Sequence, residues 1–350
     1  MRLTGRGWAV VGALALAGVS AGLFGPRSLN AVVVPGLVAL AAGYLQLRRF
    51  EPPAVARETP PDAHVGHEGT VRLSFGDPGG PRPGPGTGLS RPFAGEVRET
   101  VGDGLTAEST TFETVVGAEP VEYGVRYGAR GRHVLGPATV TARDLLGLVE
   151  TDVPTAGVAE VLVYPRVHAI APRARRDLRA LHETGVHEER REFDRLREYD
   201  RGDSLRDIHW KSTAKREDLI VKEFAAEAEA EAVSLAAGAA AAPDAADRMA
   251  EAAASIALAL VEDGVPVDVH LPDGSVTAGP DRGGRVRLLE RLALVGPGRV
   301  ATEEADVTVY GGADGVRVAV GDEELEFEEL VGTYRPSYAV VREAEGEVAA

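Results

Sequence analysis

The spacing of apolar residues changes once along this chain, and the change decides what each half can fold into. Val71–Phe75, Glu96–Val101, Ser109–Val116, Val121–Tyr127 and Ala138–Ala142 alternate apolar with polar side chains, each run bounded by Gly or Pro. A period of two places successive side chains on opposite faces of a strand, a pattern that no amphipathic helix shares. Five or more such strands without a helix between them predict a β-sandwich over residues 69–165, with the Gly/Pro-rich tract Gly76–Gly88 as a loop. Downstream of Phe224, strand and helix signals alternate instead. Strands are expected at 231–237, 265–271 and 306–310. One helix is expected over Pro243–Val261, stopped by Gly264, and a second over Arg285–Leu294, ended by Gly296-Pro297. Met249, Ile256 and Leu260 share one face of the first helix. This order predicts a small parallel sheet with helices on both faces, filling residues 225–350.

Ahead of both halves lie two apolar runs, Gly7–Phe24 and Ala31–Leu47, which predict a transmembrane helical hairpin within residues 1–49. Each spans about 26 Å as a helix, against a bilayer core of about 30 Å. Arg2, Arg6, Arg48 and Arg49 flank the pair, whereas the connection carries only Arg27, so both termini are expected in the cytoplasm and the protein in the cell membrane. A signal peptide cleaved near Val19-Ser-Ala21 is the competing reading, and it would place the rest of the chain outside the cell. Residues 50–68, rich in Pro, Glu and His, read as a linker.

A formal charge of -16, from 54 acidic against 38 basic residues, repels phosphate backbones and argues against a nucleic-acid partner. The same acidic surface suits a high-salt, halophile-like cytoplasm. With no cysteine, disulfides, thiolate metal sites and thiol nucleophiles are excluded. His64 and His67 have a spacing that two metal ligands use, but no third ligand accompanies them, and no metal or other cofactor is expected. Arg201-Gly-Asp203 matches an adhesion tripeptide only in letters.

All three lysines, Lys211, Lys215 and Lys222, fall in one short stretch, while every other basic side chain that is not histidine is arginine. A flexible point charge in an arginine-rich chain marks a site. From Arg166 to Lys222 there are 15 basic and 12 acidic residues, so this segment is slightly positive in an acidic protein and favours an acidic partner. Arg197, Tyr199, Gly202, Asp203, Arg206, His209, Trp210, Lys211 and Lys215 form the candidate cluster. Gly202 suits a turn that projects Asp203, and Trp210 offers a broad apolar face with one N–H donor. Two readings stay open: a charged clasp between domains, or a binding surface for a partner or ligand. Catalysis through Asp203, His209 and Lys211, as in a hydrolase, is the alternative from another class, and an envelope-facing adhesion module is a third.

The spacing of Phe193, Leu196, Arg197, Tyr199, Gly202, Asp203, Arg206, Ile208, Trp210, Ala214, Leu219, Val221 and Phe224 resembles the signature of the domain-of-unknown-function 58 family. Arg130-Gly131, Leu135-Gly136-Pro137, Val140, Asp144, Gly147-Leu148 and Val163-Tyr164-Pro165-Arg166 match upstream pieces of it. The resemblance makes residues 166–224 the signature segment. It also implies a degenerate, three-layer von Willebrand A-like α/β domain over 225–350, ending in an acidic tail. The metal-binding form of that fold carries an Asp and two Ser after its first strand; here the equivalent stretch after Leu235 is Ala-Ala-Gly-Ala-Ala-Ala-Ala242, with no such ligand. The resemblance further implies a non-enzymatic scaffold or assembly factor working with a MoxR-type AAA+ ATPase on a client.

Overall fold

The computed structural model describes residues 1–24, 30–84, 88–189, 193–198, 220–224, 232–301, 305–321 and 323–332, with side chains described outside 21–32 and 183–231. The chain divides into two compact units, Met1–Val163 and Tyr164–Ala350.

In the first unit, β1 (Arg2–Leu3) precedes helices α1 (Gly5–Phe24) and α2 (Asn30–Arg48). Next come β2 (Ala54–Glu58), β3 (Ala63–His64), β4 (Glu68–Gly76), β5 (Phe93–Arg98), β6 (Leu105–Ala107) and β7 (Thr111–Val116). The unit closes with β8 (Val121–Tyr127), β9 (Gly131–Leu135), β10 (Thr139–Arg143), β11 (Val149–Pro154) and β12 (Ala159–Tyr164). Three sheets result, ordered β1-β11-β10-β5-β7, β2-β4-β8-β6 and β3-β12-β9. Strand β8 shows why this sequence makes strands. Val121, Tyr123, Val125 and Tyr127 point inward and are buried, while Glu122 and Arg126 point out. Its neighbour β4 pairs antiparallel with it, Val71 opposite Tyr123 and Leu73 opposite Val121. These side chains meet Val97, Leu135, Val140 and Val163 from the other sheets in one core. The segment 50–68, expected as a linker, instead supplies β2 and β3.

The expectation of two transmembrane helices is corrected. Helices do form at both apolar runs, but among the described residues no helix is long and apolar enough to cross a membrane. Part of their apolar surface is engaged by protein: Val10, Ala39, Leu40 and Leu47 join Ala142, Leu148 and Val149 in a second core. Helix α2 also carries Pro35 in its interior and ends with Tyr44, Gln46 and Arg48. At Gly36 the two helices approach so closely that a Cβ would lie 2.7 Å from a Leu14 methyl.

In the second unit, α3 (Pro172–Glu189) is followed by β13 (Phe193–Glu198), β14 (Ile220–Phe224), β15 (Val233–Ala239), α4 (Ala245–Glu262), β16 (Val267–Leu271) and β17 (Gly274–Ala278). Then come α5 (Arg282–Leu294), β18 (Val307–Gly311), β19 (Val316–Val320), β20 (Glu323–Glu326) and α6 (Phe327–Leu330). The main sheet runs β17-β16-β15-β18-β19-β20. Only its centre is parallel, β15 lying between β16 and β18. Antiparallel hairpins extend both edges, which corrects the all-parallel expectation. The cause is loop length: two residues, Pro272 and Asp273, separate β16 from β17, whereas a parallel return needs a crossover of a dozen or more.

Helix α4 is alanine-rich, the composition with the highest helix propensity, and it buries Met249, Ile256 and Leu260 almost completely. It starts after Asp244, held at φ 58°, and stops at Gly264, φ 83°. Helices α4 and α5 pack against each other, α4 over β15 and β18 and α5 beside β17.

Candidate functional site

Strands β13 and β14 form an antiparallel ribbon, with Arg197 opposite Val221 and Leu196 opposite Lys222. Among the described residues this ribbon hydrogen-bonds to no other strand. The signature fills the connection between its two strands. Of the nine candidate residues, Arg197 lies on the backbone of β13. Tyr199, Gly202, Asp203, Arg206, His209, Trp210, Lys211 and Lys215 lie outside the described residues. The acidic tail after Tyr338 also lies outside them.

A cleft lies at the carboxyl ends of β15 and β18, where crossover connections leave the centre of an α/β sheet in opposite directions and ligands commonly bind. This open hollow of about 320 Å3 is lined by Ala239, Ala240, Ala241, Pro297, Gly298, Arg299 and Tyr310. Backbone groups at its floor are already paired: Ala239 and Gly298 exchange N–H···O bonds of 2.8 and 2.9 Å, and Ala240 donates to Gly311. The lining therefore offers methyl groups, one guanidinium and one phenol, on which Arg317 stacks at 6.0 Å. It holds no carboxylate or histidine. Among the described residues no three His, Asp or Glu side chains converge as metal ligands.

Polar clusters outside this cleft organise the fold. Arg175 on α3 grips Asp263 at the end of α4 through Nε and Nη2, at 2.6 and 2.8 Å, and reaches Glu262 at 3.4 Å. These hydrogen bonds hold the Asp263 carboxyl below the usual aspartate range. Ser255 donates to Glu251 O and accepts from His168 N–H.

In the first unit, Arg57 and Glu99 form a buried pair, their side chains 2% and 0% exposed. Nε and Nη2 of Arg57 each donate to Glu99 at 3.2 Å, and Nη1 donates to the Gly157 carbonyl at 2.7 Å. Burial still raises the Glu99 carboxyl above its ordinary value, because desolvation outweighs the guanidinium. Gly136, at φ 96°, completes the pocket; a Cβ there would sit 2.7 Å from Arg57 Cζ. Burial likewise pushes the Tyr127 phenol up to about 12, its Oη donating to the Pro61 carbonyl at 3.2 Å.

Asp144, another residue of the upstream motif pieces, organises the β10–β11 turn. Its Oδ1 accepts from Leu148 and Val149 N–H at 2.6 and 2.7 Å, and its Oδ2 accepts from Leu146 N–H at 3.1 Å. Thr4 caps α1, accepting from Gly7 N–H, and donates to the Gly147 carbonyl of the same turn. Gly7 and Gly43 are the contact points of the two helices. A Cβ would lie 2.1 Å from Leu148 O at Gly7, and 3.0 Å from Asp144 Oδ2 at Gly43.

A family model described as "Protein of unknown function DUF58" matches residues 195–309, less than half of the chain, and supports placing this stretch in that family. No curated protein matches the chain. Among solved structures, a cohesin module from a Clostridium perfringens family 33 glycoside hydrolase is similar at 12% identity with a TM-score of 0.21, covering 33% of this chain and 98% of its own. The SrpA adhesin R347E mutant of Streptococcus sanguinis is similar at 12% identity and a TM-score of 0.19, covering 37% of this chain and 76% of its own. Likenesses this slight carry no argument about fold or function.

Proposed function

We propose that this protein is a non-enzymatic scaffold or assembly factor at the cytoplasmic face of the cell membrane, presenting its signature segment to a MoxR-type AAA+ ATPase that acts on a client protein. The observation that carries this reading is the separate β13–β14 ribbon. Among the described residues these two strands pair only with each other, and the sequence that joins them carries the charged signature.

Association with lipid is supported by helices α1 and α2. They contain no acidic residue and leave Trp8, Leu16, Val19, Val34, Leu37 and Val38 more than half exposed.

The test is capture of partners from native membranes by tagged full-length protein, wild type beside Asp203→Ala and Trp210→Ala. The reading expects an AAA+ ATPase with wild type and its loss with both folded variants. Equal capture by all three removes the signature as the contact surface.

A further inference from the structure

Leu145 and Leu146 stand at the tip of the β10–β11 turn, 91% and 56% exposed, and Leu145 is the most exposed large apolar side chain among the described residues. They are held there firmly. Asp144 accepts three backbone N–H groups of the turn, and Gly147, at φ 64°, donates back to the Asp144 carbonyl at 2.9 Å. The same turn seats the start of α1 through Thr4 and Gly7 and the end of α2 through Gly43 and Leu47. Trp8 and Tyr44, 64% and 50% exposed, therefore share this end of the hairpin with Arg6, Arg48 and Arg49.

Of the nearby carboxylates, Asp144 is engaged by backbone amides, Glu150 by Arg2 and Arg143, and Asp152 by Thr141 and Arg2, while Glu51 lines the same hollow as Arg49 but forms no ion pair with it. Arg6, Arg48 and Arg49 form no ion pair among the described residues. Two leucines, two aromatic rings and three unneutralised guanidiniums thus occupy one end of a chain whose net charge is -16. The match is local: this basic and apolar end stands out from the acidic remainder of the chain, and a surface of phosphates over hydrocarbon complements both kinds of group in it.

We propose that the β10–β11 turn is an interfacial wedge. Leu145 and Leu146 enter the acyl boundary of an anionic phospholipid surface, Arg6, Arg48 and Arg49 meet its phosphates, and Trp8 and Tyr44 lie at headgroup level. This rests on the membrane-surface reading above and names the residues that make the contact.

The chain has no cysteine, so Leu146→Cys carries a single environment-sensitive fluorophore, with Val158→Cys as a control on another exposed loop. Full-length protein is diluted from mild detergent onto vesicles of equimolar phosphatidylcholine and phosphatidylglycerol, with or without brominated acyl chains. The wedge predicts a blue shift and bromine quenching at 146 but not at 158. It also predicts about tenfold weaker vesicle binding by Leu145→Ser/Leu146→Ser, whose exposed positions leave the fold intact. Vesicle binding with an aqueous label at 146 and an unchanged serine variant overturns the wedge and leaves the membrane reading standing. No vesicle binding by wild type overturns both. Equal affinity for pure phosphatidylcholine overturns the role given to the arginines.

Discussion

Replacing Asp144 with alanine tests how the β10–β11 turn is built. The carboxylate satisfies the N–H groups of Leu146, Leu148 and Val149, and the bonds to Leu148 and Val149 are buried. Alanine leaves those two donors without partners or water, at about 1–3 kcal/mol each, so a loss of about 2–5 kcal/mol is expected after the turn relaxes. Asparagine keeps an acceptor at the Oδ1 position for the two buried amides and should lose roughly half as much, because the charge assistance and the exposed-side bond from Leu146 N–H go while the buried donors stay paired. Urea unfolding of the full chain in mild detergent measures the loss. Native-state hydrogen exchange locates it, since the Leu148 and Val149 amides should lose protection together with the first turn of α1, which Thr4 ties to the Gly147 and Leu148 carbonyls. Alanine costing under about 1 kcal/mol, with both amides still protected, would refute the assignment.

Three further outcomes follow from the same geometry. Arg57→Met strands the Glu99 carboxylate in the core and should cost about 3–5 kcal/mol at neutral pH, while Arg57→Met/Glu99→Leu recovers most of it in chemical unfolding. A carboxyl held above its unfolded pKa weakens the fold as pH rises through its titration, so the single variant should recover stability in acid. Arg175 holds Asp263 below its usual range, so the stability from this pair is present above about pH 4 and lost as pH falls further; Arg175→Ala should flatten that acid limb by about 0.5–1 kcal/mol in a pH series of melting curves. Gly311→Ala places a Cβ 2.2 Å from the Ala245 carbonyl and should destabilise the second unit by about 1–3 kcal/mol or more in thermal unfolding.

What could be read from sequence was whatever repeats locally. Strand β8 lies at Val121–Tyr127 as expected because its alternation is uninterrupted, and α4 lies within two residues of its expected start because Pro243 and Gly264 bracket an alanine-rich run. Strands β17, β19 and β20 were missed because they are short hairpin partners whose position depends on the strand beside them. Strand β2 was hidden by the prolines around it, and the pairing of Arg57 with Glu99 across 42 positions leaves no local trace.

The apolar runs at the N-terminus were legible as helices but not in their use. Hydropathy alone does not record that Leu47 and Gly43 are taken up by a β-sheet turn. The upstream motif residues Gly136 and Asp144 were recognisable as a pattern, and the structure gives their reasons: room for the Arg57 guanidinium and a ligand for three amides. The signature cluster is an expectation drawn from its lysines and its spacing. Only Arg197 of that cluster falls on a described strand.

The most direct test of the scaffold account replaces residues 199–219 with a short Gly/Ser connection that keeps β13 and β14 paired, and compares this variant with wild type for direct binding to a purified MoxR-type ATPase from the same cells. The account predicts saturable binding by the wild-type chain and none by the folded variant. Equal binding by both, or binding by neither, would contradict it.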